Sequence, residues 1–182
     1  MRFLDVLDRM SNLRNLGVMI LASIVVVSIM GIATQTWVYS IYGDVTMPDT
    51  RLAYTFAEME DVFNTLGQEG LNIWAQVHML DFLFPLTYMF AMVFGMNMEI
   101  RRIYTNNANV KKLVLIPIFG GLADYVENIL VLSQIAAFPS LSETVIMIAS
   151  AVTTLKWIFL GAGFAIIFVF VVLFIIKRGS QN

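Results

Sequence analysis

The sequence predicts an all-α integral membrane protein: a bundle of four transmembrane helices with both termini cytoplasmic, an N-terminal interfacial helix, and an outer amphipathic helix between the first two spans. Three observations carry this. The 182 residues are 59% hydrophobic and only 13% charged, too apolar for a soluble domain of this length. Four stretches, 17–42, 71–97, 113–138 and 144–176, meet the roughly 20 apolar residues that a span requires. The basic residues then sort to one side. Arg2, Arg9 and Arg14 precede the first stretch, Arg101, Arg102, Lys111 and Lys112 separate the second from the third, and Lys177 and Arg178 follow the fourth. The 43–70 loop holds only Arg51, and the 139–143 turn holds none. Under the positive-inside rule this places both termini in the cytoplasm.

Along the chain, Phe3, Val6, Leu7, Met10 and Leu13 follow helical spacing, with Arg2, Asp5, Asp8, Arg9 and Arg14 between them. Residues 1–15 are therefore expected to form a helix lying in the interface. The apolar core of the first span, from Gly17 to Ala33, is longer than a signal-peptide core and is followed by no small-x-small site, so it reads as a retained anchor. Trp37, Tyr39, Tyr42 and Trp74 fit an aromatic belt at the outer interface. In the outer loop Leu52, Phe56, Met59, Phe63 and Leu66 recur at steps of four and three. They predict a helix over 50–66, with Asp49 or Thr50 as N-cap and Gly67 as its stop, which rests on the membrane, caps the bundle or acts as a lid. Pro85 and Pro117 are expected to kink the second and third spans. The fourth span is longer than a bilayer requires and so tilts or projects.

Composition narrows the chemistry. With no Cys and one His, there is no disulfide framework, no thiolate nucleophile and no Cys-ligated metal, so no metal or cofactor is expected. A net charge of −2 with no basic face argues against nucleic acid as a partner. No nucleophile elbow, phosphate loop, HExxH or dinucleotide fingerprint occurs.

What stands out is the polar content of the spans. Charged side chains at hydrocarbon depth cost several kcal/mol and mark functional sites by default. Here there are four, Asp81, Asp124, Glu127 and Lys156, accompanied by His78, Asn128 and Thr153. At about 1.5 Å per residue, the four charges fall within roughly two helical turns of one depth although they come from three spans. Spacing also aligns them. His78, Asp81, Pro85 and Tyr88 form one stripe; Gly120, Asp124, Glu127, Asn128, Val131 and Gln134 form a second; Ala149, Thr153, Lys156, Leu160 and Gly163 form a third. The small residues beside Lys156 allow close helix approach.

Three carboxylates against one lysine leave two excess negative charges if all ionise, which an apolar interior resists. A bound proton, a cation or a wetted cavity is then required, and acids so placed suit general acid or proton-carrier roles. Asp124, Glu127 and Asp81 are thus the catalytic candidates, and Lys156, Asn128, His78, Thr153 and Tyr88 the candidates for binding a polar group. The run 121–128 followed by 153–157 resembles a pattern in small bacterial membrane proteins of unassigned function. That resemblance implies a bacterial inner membrane.

Three functions fit these residues. The first is binding or modification of a lipid or lipid-like hydrophobic molecule in the bundle interior, with membrane lipids as partners. The second is a proton- or cation-coupled transporter or channel subunit, with a homo-oligomer as the expected assembly. The third is a non-catalytic scaffold or assembly factor, in which the cluster only sets helix register.

Overall fold

The structure, a computed structural model, describes residues 3–43, 45, 47–104 and 108–179; Arg2 and the side chain of Asp49 lie outside the described residues. It is 89% helical, and four of its helical stretches are long and apolar enough to cross a membrane. Six helices of eight residues or more occur among the described residues: α1 (Phe3–Met10), α2 (Leu13–Ala33), α3 (Phe56–Leu80), α4 (Phe84–Ile103), α5 (Leu115–Ala137) and α6 (Glu143–Gly179). A π-helical segment, Thr34–Tyr39, and a last turn, Ser40–Tyr42, prolong α2.

The expected 1–15 helix is cut short. Ser11 and Asn12 compete for backbone partners as short polar side chains do: the Ser11 hydroxyl donates back to the Leu7 carbonyl at 2.7 Å, and the Asn12 side chain caps α2 by accepting from the Asn15 amide at 2.9 Å. Residues 13–15 therefore belong to α2. The short α1 is docked on the bundle. Leu7 is buried in a cluster with Val93, Met96, Ile100 and Val114. Asp8 Oδ2 lies 3.1 Å from Lys111 Nζ, and Asn97 Nδ2 donates to Ser11 Oγ at 3.1 Å.

The amphipathic helix starts at Phe56, not near Thr50, because a Thr-x-x-Glu capping box lies there. The Glu58 amide donates to Thr55 Oγ1 at 3.3 Å, and the Thr55 amide donates to Glu58 Oε2 at 2.7 Å, holding that carboxyl below its usual range. Pro48–Thr50 is a separate 3-10 turn. Between them the chain crosses α6: the Tyr54 amide donates to Ser150 Oγ at 2.9 Å, and Thr154 Oγ1 donates to the Leu52 carbonyl at 2.9 Å. The amphipathic face caps one end of the bundle, with Met59, Phe63 and Leu66 buried among Val38, Trp74, Val131 and Ile146.

Gly67 bends α3 rather than ending it. Its φ of 57° with ψ of −176° lies in a region essentially confined to glycine, and the helix resumes at once on the far side. The second expected span, 71–97, is then interrupted: α3 stops at Leu80 and α4 begins at Phe84. Pro85 explains the break, since its ring excludes the carbonyl of residue 81 and it has no N–H to offer. Pro117 produces none, because it falls in the first turn of α5, where a missing N–H costs no helical bond.

The most extensive pairing is α5 with α6, and α4 packs on both. Glycines set these distances: a Cβ on Gly121 would lie 2.8 Å from Met89 Sδ, and one on Gly163 2.5 Å from Met92 Cε. By contrast, α2 packs along α4 and leaves α6 nearly untouched. Replacing Gly67 by Ala is expected to lower stability by about 1–3 kcal/mol, read by thermal unfolding in detergent. Gly161→Ala, which meets open space in a helix, should leave the midpoint unchanged or raise it.

Candidate functional site

Each expected site residue is buried, and most of them meet. Lys156, brought in by α6, places its Nζ 2.6 Å from Glu127 Oε2 and 3.5 Å from Asp124 Oδ1. These two acids lie one helical step apart on the face of α5 that meets α6. The Thr153 hydroxyl, one turn before the lysine, donates to Glu127 Oε1 at 2.7 Å, with its own helix's Ala149 carbonyl 2.9 Å away. From α4 the Tyr88 hydroxyl donates to Asp124 Oδ2 at 2.8 Å. Asp124 and Glu127 accept in each of these contacts.

Asp81 occupies the helix break. Its amide donates to the His78 carbonyl at 3.1 Å, so it closes the last turn of α3. Two residues of α5 serve the interruption: Asn128 Nδ2 approaches the Asp81 carbonyl at 3.4 Å, and the Tyr125 hydroxyl donates to the Phe82 carbonyl at 2.9 Å. A helix break in an apolar interior survives when neighbours cover the freed backbone groups in this way. The carboxylates of Asp81, Asp124 and Glu127 all lie within electrostatic range of the Tyr88 phenol. Asn128 Oδ1 is buried and has no hydrogen-bond partner among the described residues.

His78 stands apart from the ion pair. It is buried with its ring edge-on to Trp74 at 5.8 Å between centroids, and it lines a cavity of about 270 Å³ between α2, α3 and the 47–50 turn. The acids do not converge as ligands: no group of three or more His, Asp or Glu side chains that could hold a metal ion occurs among the described residues.

Comparison with protein-family models, with curated proteins and with solved structures finds no match for this chain.

Two features escaped the sequence reading. Tyr125 gave no signal, because nothing in its spacing marks a backbone-covering role. The second is a cleft of about 470 Å³ left open where α2 stands away from α6. Leu16 and Ile20 line it from α2, Tyr88, Met92 and Gly95 from α4, and Phe164 from α6. Tyr88 is thus shared: its ring lines the cleft while its hydroxyl binds Asp124.

Removing one partner of a buried pair costs more than removing both. Lys156→Met is expected to lower stability by about 3–5 kcal/mol, and the double variant Lys156→Met with Glu127→Gln should recover most of that loss in denaturation of the purified protein. A neutral Lys156→Met would show that the ion pair contributes nothing.

Proposed function

We propose that the four apolar helices span a membrane, that of a bacterial inner membrane, with both termini cytoplasmic, and that the cleft between α2, α4 and α6 admits a lipid or other hydrophobic molecule for binding or modification. The observation that carries this reading is Tyr88, which joins an apolar, laterally open cleft to a buried acid–lysine network. Ligand sites combine mostly apolar walls with a few fixed polar groups, and the cleft has that composition. A chain lying in it packs on the Tyr88 ring, whose hydroxyl is oriented by Asp124, which is in turn held by Lys156.

A second reading, a proton- or cation-coupled relay, is favoured by the break at Asp81. Discontinuous helices near the membrane midplane commonly serve coupled transport, and three acids beside one lysine suit a site that takes up a proton.

Topology has a direct test, because the absence of Cys provides a clean background for labelling. Arg51→Cys in intact cells should react with an impermeant maleimide, and Gly179→Cys should react only after the membrane is opened. The reverse pattern would overturn the orientation.

Ligand uptake is tested by comparing the lipids of cells that lack the protein with those of cells expressing wild type, Glu127→Gln or Gly95→Phe, the last filling the cleft. Wild type should shift at least one lipid species, and both variants should resemble the deletion. Identical profiles throughout would sink the lipid reading. Proton flux in proteoliposomes that is abolished by Asp81→Asn would then establish the relay.

A further inference from the structure

Between its ends the cleft is almost wholly apolar. Ser23, near the Tyr88 end, spends its hydroxyl on the Met19 carbonyl of its own helix at 2.8 Å. One end closes on Tyr88. The other, about 21 Å away along α4, is lined by Glu99 and Arg102. Arg102 Nη1 lies 2.6 Å from Glu99 Oε1, and its guanidinium lies over the Phe174 ring of α6, 5.2 Å from the centroid. Its side chain keeps 47% of its surface exposed, against 12% for Glu99. The acid thus fixes one edge of the guanidinium while the arginine still faces outward, and a five-donor fork can take a second oxyanion.

Besides the Glu99–Arg102 pair, two further basic residues flank this mouth. Arg14 adjoins the lining residue Leu13, and Arg178 lies seven residues beyond the lining residue Val171, on the same face of α6. Topology alone accounts for basic residues at these helix ends. It does not account for one that forms part of the cleft wall.

We infer that the molecule held here is an anionic phospholipid of the cytoplasmic leaflet, its phosphate on Arg102 and one acyl chain lying along Leu16, Ile20 and Met92 toward Tyr88. The inference rests on the cleft being a ligand site. It adds the headgroup class, the leaflet of origin and the direction in which the chain lies. The chain end, not the headgroup, then meets Tyr88.

The test is native mass spectrometry of the full chain in detergent, titrated with phosphatidylglycerol or with phosphatidylcholine of the same acyl composition. Wild type should retain phosphatidylglycerol about tenfold more strongly, the effect of one charge-assisted contact. Arg102→Gln should weaken phosphatidylglycerol about tenfold more than phosphatidylcholine, whose phosphate is offset by its own choline, so that the preference is lost; Arg102→Lys should keep part of it, and Gly95→Phe should lower retention of both lipids. Equal retention of the two lipids by wild type, or a preference that survives Arg102→Gln, would overturn the headgroup assignment while Gly95→Phe still reports on the cleft. Retention of both lipids unaffected by Gly95→Phe would overturn the cleft reading itself.

Discussion

The contact on which the rest of the bundle depends is the one between the Lys156 ammonium and the carboxylates of α5. Taking such ions out of water costs several kcal/mol each, recovered only when the pair is close and the remaining lone pairs are bonded. Closeness requires helices that nearly touch, and a Cβ on Gly120 would already lie 3.2 Å from Phe159 Cβ across the α5–α6 contact. Bonding of the other lone pairs brings in Thr153 from the same helix and Tyr88 from α4. Between helices in lipid, apolar packing has little preference for one axial position over another, since the surrounding chains are equally apolar. A polar network has such a preference. The register of α4, α5 and α6 follows from it.

Much of this was legible in the sequence, for definite physical reasons. Hydrocarbon thickness imposes length and apolarity on each span, so four long helices could be counted from composition alone. The cost of burying charge makes Asp81, Asp124, Glu127 and Lys156 conspicuous, and helical geometry allowed their depths to be compared before any contact was known. What could not be read is what depends on competition between local signals. Thr55 with Glu58 outcompetes Asp49 and Thr50 as the helix start because its capping is reciprocal. Pro85 breaks a helix that Pro117 leaves intact, a difference that turns on where each falls relative to a helix start. The gap between α2 and α6 is a matter of tertiary packing, invisible to any periodicity.

The basic residues carry more than topology. Counted as charges, Arg101, Arg102 and Lys111 only group at one end of the apolar helices. In the structure Lys111 and Arg101 both reach Asp8 of α1, and Arg101 also donates to the Ser11 carbonyl. The start of α2 is thereby tied to the ends of α4 and α5, while the 47–55 segment ties its far end across α6. Held at both ends and packed along one neighbour, α2 stands off from α6 between these ties, and the cleft occupies that space.

The interruption at residues 81–83 has a consequence for the field inside the bundle. A continuous helix carries its partial charges at its two termini, but two half-helices meeting end to end bring the negative carbonyl end of one and the positive amide end of the other into the middle. Pro85 removes one amide from the positive end, while Tyr125 and Asn128 cover carbonyls of the negative end, so the two ends are weakened together. Asp81 hangs at this junction. Across about one turn of backbone the local potential changes sign, so this part of the interior can favour a cation and an anion at neighbouring points, where an unbroken helix would favour neither.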